Sequence, residues 1–217
     1  MRRGVDCATI RVVAWIDLTF LGSVYLTMFV IMDPPGTVPV FLALVGRRDP
    51  AYMARAAMQA ALTAFGVITL FALFGERLLS FLGITLAAMQ TSGGLLLLLV
   101  SLQLLTGKED EVSATDEVNV ALVPLGTPLL AGPGAIVAVI LFVRKASGAP
   151  QVVSLIVGIV AIHITLYLVM RFSPLVAGIL RPTGILVLTR IAGVLLAAIA
   201  TQLVADGVFS FIAAHDS

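Results

Sequence analysis

Long uncharged runs separated by short charged segments make up most of the chain. Six of these runs reach or exceed the roughly 20 residues that a helix needs to cross the hydrocarbon core of a bilayer. They cover residues 18–46, 56–75, 78–107, 118–143, 146–170 and 182–205. Within them, Asp33 and Arg190 are the only charged residues. Because lipid offers no hydrogen bonds to a peptide backbone, such runs predict transmembrane helices, which satisfy their backbone internally.

A transmembrane barrel is the alternative, and the pattern contradicts it. Barrel strands are about ten residues long and alternate in polarity, whereas Leu95–Val100 is continuously apolar. Composition agrees with a helical membrane protein: 60% of the residues are hydrophobic and 12% are charged, about half the charge of a soluble domain. The sequence therefore predicts an all-α membrane protein with six transmembrane helices, and 217 residues leave no length for a separate soluble domain.

Charge and cysteine content exclude several classes of function. The formal net charge is +1, so no basic field indicates nucleic acid as a partner. The single cysteine, Cys7, excludes an internal disulfide and a cysteine-based metal cluster, and we expect neither metal nor cofactor. Residues 1–17 lack the cleavage pattern of a signal peptide, and Trp15 fits an interfacial anchor. Basic residues divide six against seven between the two membrane faces, so they do not fix the orientation.

An internal repeat is suggested by two segments that align without gaps. Gly94–Leu104 matches Gly193–Leu203 at a spacing of 99 residues, and Pro35-Gly36 precedes Pro133-Gly134 by 98. The alternative is a chance match between helices rich in glycine and leucine. A duplication would give a single transmembrane domain, residues 1–217, with halves 18–105 and 119–211 joined by an acidic linker, 106–118. Three spans in each half would make the second half inverted, a plan that recurs in secondary transporters.

Prolines predict a broken helix in the first span. Pro34 and Pro35 lack the amide hydrogen that would continue a preceding helix, and their rings clash with its last turn. Proline is favoured at the first position of a helix, and aspartate is a favoured N-cap. We therefore expect the span to stop near Met32 and to restart at Pro34 with Asp33 as its cap.

The fourth span contains a similar interruption. Pro124 and Pro128 loosen its first half, and Gly132 can cap a new helix that begins at Pro133. Helix N-termini expose amides at the positive end of the helix dipole, so two of them would form an anion site at membrane depth. The alternative is that these are tolerated kinks patched by threonine hydroxyls. The predicted substrate-binding residues are Asp33, Pro34, Pro35, Gly36, Thr37, Thr127, Gly132, Pro133, Gly134 and Ala135.

Other polar residues within the spans could form a coupling or polar network with Asp33. They are Gln103, Arg190, Gln202 and His163. Each also has a structural explanation: glutamines join helices by hydrogen bonds, arginine snorkels to the interface, and a histidine bonds to a backbone carbonyl. Glu76 and Arg77 fit a pair at a helix end.

Several motifs resemble the MarC family of prokaryotic inner-membrane proteins. They are Asp33–Phe41, Phe81–Ile84 followed by Gly93-Gly94, Pro124–Ile136 and Leu188–Gly193. The resemblance extends from about residue 18 to 211, although many members carry asparagine where this chain has Asp33. It implies a multi-pass protein of the prokaryotic plasma membrane, related to transporters of small neutral amino acids such as glycine, alanine, serine and threonine.

Secondary transport by alternating access is the function that these features favour together. The expected partners are a small zwitterionic substrate, the lipid bilayer, and a proton or sodium as coupling ion. An intramembrane enzyme is disfavoured, because the chain has neither a His-Glu-x-x-His motif nor a Gly-x-Ser-Gly loop. A passive channel, or an exporter of another small solute, remains the alternative.

Overall fold

The computed structural model describes residues 16–45, 49–106 and 130–215, and all regular structure in those ranges is helical. This confirms the all-α prediction. The helices are α1 (Leu18–Met32), α2 (Pro34–Val45), α3 (Pro50–Phe81), α4 (Leu86–Thr106), α5 (Pro133–Lys145), α6 (Ala149–Arg171) and α7 (Ser173–His215).

Five segments of the described chain are long and apolar enough to cross a membrane. They are Leu18–Leu42, Pro50–Phe81, Leu86–Thr106, Ala149–Arg171 and Ser173–Ala213. The first part of the predicted fourth span, residues 118–129 of 118–143, lies outside the described residues, as do Thr127 and most of the acidic linker. The prediction of six spans in two inverted halves therefore stays a prediction.

The helix boundary expected at Glu76 and Arg77 is wrong. Helix α3 continues to Phe81 and ends in a turn in which Gly83 has φ 67°, a conformation that glycine adopts without steric cost. Glu76 bonds to Arg144 of α5 instead, with Nε donating to Oε1 at 2.8 Å. The charges of Glu76 and Arg77 do not end the helix, which ends instead at the turn that contains Gly83.

Asp33 is the single residue between α1 and α2. Its backbone lies in the left-handed region, at φ 38° and ψ 68°, and its amide donates to the Phe29 carbonyl at 3.0 Å. Aspartate tolerates this region better than most residues. An N-cap is usually extended, so the geometry differs from the expected one because Asp33 also closes the end of α1.

The ends of four helices define one face of the bundle, which we call the Asp17 face. The Asp17 carboxylate accepts from the Phe20 amide at 2.9 Å at the start of α1, and from Gln151 at the start of α6. The Phe20 amide, followed by Gln151, holds the pKa of Asp17 below its usual value. The Glu76–Arg144 pair belongs to the same face, because Arg144 lies at the end of α5 just before α6 begins.

The main core lies among α1, α2, α3, α5 and α6. Its fully buried side chains include Met28, Phe41, Ile68, Ile140 and Ile162. Helix α3 contributes small residues, among them alanines 57, 60 and 64, that let its neighbours approach closely. Large apolar side chains elsewhere on the helices are exposed, as expected of surfaces that face lipid.

Helices α4 and α7 approach each other through glycines. A Cβ added at Gly94 would lie 2.8 Å from the Ala200 carbonyl oxygen, and one at Gly207 would lie 2.9 Å from that of Ala87. One at Gly193 would lie 3.3 Å from the Ser101 oxygen. Close backbone approach over small residues is a common basis of helix association in membranes, where no hydrophobic force drives helices together.

We expect Gly94→Ala to destabilise the protein by about 1–3 kcal/mol, the usual cost of overpacking a tight contact. The new methyl group would meet the backbone of α7, which cannot move as a side chain can. Thermal unfolding of the purified protein in detergent measures the effect. Gly66→Ala is the matched control, because a Cβ at Gly66 meets nothing within 4 Å. Equal melting temperatures for both variants would contradict this packing.

Candidate functional site

The Asp33 carboxylate is buried against the first turn of α2. The side chain is 7% exposed. A Cβ added at Gly36 would lie 2.8 Å from Asp33 Cγ and would collide with Oδ2. Gly36 is itself buried. The absence of a side chain at Gly36 is therefore what makes room for the carboxylate.

Thr189 of α7 borders the same space. Its Oγ1 would lie 3.2 Å from a Cβ at Gly36, and its side chain is 6% exposed. A carboxylate and a hydroxyl thus flank one glycine, although they come from helices far apart in sequence. The sequence pattern does not mark Thr189 as a site residue, and its one signal is its position in the Leu188–Gly193 motif.

Thr37 closes the first turn of α2. Its hydroxyl donates to the Pro34 carbonyl at 2.7 Å, and its amide donates to the Asp33 carbonyl at 3.1 Å. This is the patching role that the alternative interpretation assigns to a threonine at a helix break. The hydroxyl oxygen keeps its capacity to accept a hydrogen bond.

A cavity of about 370 Å³ leads to Thr189 between α2 and α7, and we call it the α2–α7 cavity. Pro182 and Ala177 line it on either side of Arg181, which interrupts α7 with φ 55° and ψ 164°. Thr189 lies about 10 Å beyond Pro182 along the helix. The cavity therefore runs from the start of α7 towards the space beside Gly36. It is also lined by Val38, Pro39, Leu42, Leu104, Ile185 and Leu186.

The second predicted break is described only on its α5 side. Helix α5 begins at Pro133, and Gly132 before it is extended, with φ −64° and ψ 167°. Ala135 is buried, and its amide donates to the Gly132 carbonyl at 3.0 Å. Leu97 of α4 covers Gly134, with Cγ 2.7 Å from where a Cβ would stand. The structure thus groups Asp33, Gly36 and Thr37 with Thr189, whereas Gly134 contacts α4.

The predicted polar network does not assemble around Asp33. Gln103 and Arg190 have exposed side chains. Gln202 donates from Nε2 to Asp206 Oδ1 at 2.7 Å, one turn along its own helix, and so does not join two helices. The two side chains meet because they lie four residues apart on one helix. The pattern of apolar and polar residues in the span does not reveal this pairing.

His163 lies in the wall between α3 and α6. Its Nδ1 is 2.7 Å from the Ile159 carbonyl oxygen, which confirms the histidine–carbonyl contact expected from the sequence. The edge of Phe65 packs on the ring with centroids 5.3 Å apart. In the ranges that the structure describes, no group of three or more His, Cys, Asp or Glu residues could hold a metal ion.

We expect Gly36→Ala to displace the Asp33 carboxylate and to destabilise the protein by about 1–3 kcal/mol. Thermal unfolding in detergent measures this, with Gly22→Ala as control, since a Cβ at Gly22 meets nothing within 4 Å. The cost should shrink in an Asp33→Ala background, because the colliding group is then gone. The same cost in both backgrounds would show that Asp33 is not the group displaced.

Comparison with known proteins gives one consistent result. A family described as "MarC family integral membrane protein" matches residues 18–212. A UPF0056 membrane protein of Methanocaldococcus jannaschii is 35% identical over 199 residues, which cover 88% of this chain and 97% of that protein. A UPF0056 membrane protein of Aquifex aeolicus is 36% identical, covering 84% and 89%.

A more distant relative is the UPF0056 membrane protein YhcE of Escherichia coli, 26% identical over 88% of this chain and 93% of its own length. No solved structure matches. The printed names of these relatives state membrane location and give no substrate. The chain belongs to the MarC family of integral membrane proteins.

Proposed function

We propose that the protein is a secondary transporter of small neutral amino acids, of the glycine, alanine, serine and threonine class, in a prokaryotic plasma membrane. It works by alternating access around a site at Asp33. The observation that carries the proposal is the buried Asp33 carboxylate at a left-handed break within the candidate span Leu18–Leu42.

Placing this carboxylate within a membrane span costs free energy. Placing aspartate at the centre of a transmembrane helix costs about 2.5–3.5 kcal/mol on insertion scales, and such residues mark ion and substrate pathways. A tolerated kink needs only the Thr37 hydroxyl bond to Pro34, which is present. The charge of Asp33 is therefore more than the kink requires, and a carboxylate at this depth suits the binding of a substrate ammonium.

The chemistry around Asp33 suits a small zwitterion. The carboxylate binds the substrate ammonium, and the Thr189 hydroxyl, which borders the same space beside Gly36, is a further hydrogen-bonding group. The N-termini of α2 and α5, whose prolines leave the Gly36 and Gly134 amides as the first N–H groups, are positive helix ends that favour the substrate carboxylate. Asp33 and Thr189 limit the room beside Gly36, which favours substrates with small side chains.

Access to this site is supported from one face of the bundle. The α2–α7 cavity begins near Pro182 and ends at Thr189, which borders the space occupied by the carboxylate. In alternating access, a site is open to one face while the other path is closed. The cavity is the path for the face at which α7 begins.

The inverted repeat gains support from the α4–α7 contact. Gly94 meets the carbonyl of Ala200, and Gly193 meets that of Ser101. Gly193 lies 99 residues after Gly94, and Ala200 lies 99 residues after Ser101, so the two contacts are equivalent under the proposed repeat. Such reciprocity is what a two-fold axis between the halves produces. The two helices are antiparallel, which would place this axis in the membrane plane.

Uptake of labelled glycine and alanine into proteoliposomes tests the proposal, with imposed proton and sodium gradients in separate arms. The wild type should accumulate substrate until the coupling gradient is discharged. Asp33→Asn should lower the initial rate by about a hundredfold or more, since the ammonium loses its charged partner.

Asp17→Asn is the matched control, because it neutralises a carboxylate outside the spans and should keep most of the activity. Equilibration without accumulation would instead indicate a passive channel. Unchanged uptake by correctly inserted Asp33→Asn protein would remove Asp33 from the site.

A further inference from the structure

A second cavity, of about 350 Å³, lies among α1, α5 and α7, and we call it the α5–α7 cavity. Lys145, the last residue of α5, lines it together with Asp206 of α7. Lys145 adjoins Arg144, so this cavity opens at the Asp17 face. The proposed transport site does not use either charged residue.

The two charges face one cavity without neutralising each other. Among the described residues the ion pair within 4.0 Å is Glu76–Arg144, so the Lys145 nitrogen and the Asp206 oxygens are further apart than that. Gln202 donates to Asp206 Oδ1 at 2.7 Å and orients the carboxylate. A cation and an anion held apart across a cavity complement the two ends of a zwitterion.

The cavity is charged at the end where Lys145 and Asp206 lie and mostly apolar along the rest of its length. From Asp206 it follows α7 back to Ala198 over about 12 Å, and from Lys145 it follows α5 back to Ala138 over about 10 Å. Ala138 lies little more than one turn from Gly134 at the start of α5. The cavity therefore points from the Asp17 face towards the helix N-terminus that the transport site would use.

The two cavities correspond under the proposed repeat. Leu104 of the α2–α7 cavity lies 99 positions before Leu203 of the α5–α7 cavity, and the two cavities are also lined by α2 and α5, which carry the two Pro-Gly motifs in their first turns. Their mouths lie at opposite faces, because Pro182 and Asp206 are about 36 Å apart along α7, more than the thickness of the hydrocarbon core.

We propose that the α5–α7 cavity is the access path from the Asp17 face, and that Lys145 and Asp206 form a vestibule site for a free α-amino acid. Lys145 binds the substrate carboxylate, and Asp206, held by Gln202, binds the ammonium. The role as a path rests on the proposed transport function. The binding of a zwitterion at the mouth does not.

Sided labelling tests the path. In a Cys7→Ser background, Ala198→Cys places a thiol in the α5–α7 cavity and Leu186→Cys places one in the α2–α7 cavity. A membrane-impermeant maleimide, applied to right-side-out and inside-out vesicles, should label the two thiols from opposite faces. Labelling of both from the same face would overturn the proposal.

Protection by glycine tests the vestibule. Glycine should slow the labelling of Ala198→Cys, and Lys145→Met or Asp206→Asn should raise the half-protecting glycine concentration about tenfold, because each removes one charged contact. Arg77→Met is the control, since it removes a cation near the end of α3 without touching the cavity. Unchanged protection in both cavity variants would overturn the site.

Equilibrium binding of labelled glycine to the unmodified protein provides a measurement that needs no variant. Ethylamine and acetate each carry one of the two charges and should compete about tenfold more weakly than glycine. Displacement of glycine by either analogue at equal concentration would contradict recognition of a zwitterion. A different outcome would be labelling of Ala198→Cys that slows with the phosphatidylethanolamine content of the vesicles and does not respond to glycine. That result would assign the cavity to a lipid headgroup.

Asp33→Asn separates this inference from the proposed function. The variant should lose uptake and keep glycine protection at Ala198→Cys, because the vestibule does not include Asp33. Protection without any wild-type uptake would leave the vestibule standing and remove the transport function. Uptake by the wild type without protection by glycine would leave the transport function standing and remove the vestibule.

Discussion

The burial of one carboxylate within an apolar span constrains the rest of the structure. Asp33 requires a break between α1 and α2, since its left-handed backbone cannot belong to a continuous helix. It also requires glycine at position 36, where a side chain would occupy the same space, and a polar neighbour, which α7 supplies as Thr189. Each of these features has a cost in stability, and the proposed substrate site, which would need a charge at membrane depth, would account for all of them.

The α4–α7 contact holds the frame around that site. Glycines on both helices allow the backbones to approach within van der Waals distance, so α7 is fixed against α4 along much of its length. Thr189, near the middle of this helix, and Asp206, about 26 Å further along it, line two different cavities. Under the proposed alternating access, a relative movement of the two halves of the proposed repeat about this contact would open one cavity and close the other.

The sequence was sufficient to predict features that depend on local chemistry. Adjacent prolines predicted the restart of a helix at Pro34, and the length of uncharged runs predicted membrane helices, because both rest on backbone geometry within one segment. Contacts between distant segments were not predictable in the same way. The meeting of Thr189 with Gly36, and of Arg144 with Glu76, depends on how helices pack.

Some charged residues were misjudged for the same reason. The uncharged run that predicts the sixth span ends just before Asp206, and nothing in that pattern indicates that its carboxylate lines a cavity between α5 and α7. Glu76 was expected to end a helix, and instead α3 extends past it to the glycine turn. A charged residue near a helix end can mark the boundary of the helix, form an ion pair or line a cavity. Only its neighbours in space show which of these it does.

The most direct test of the account is the distance between a bound substrate and Asp33. Solid-state NMR dephasing can measure it in lipid, using ¹⁵N-labelled glycine and protein with ¹³C in its aspartate side-chain carboxyls. We expect a glycine nitrogen about 3–4 Å from the Asp33 carboxyl carbon, the separation of a hydrogen-bonded ion pair, with the signal absent in Asp33→Asn. Saturating glycine that produces no dephasing assignable to Asp33 would contradict the central claim.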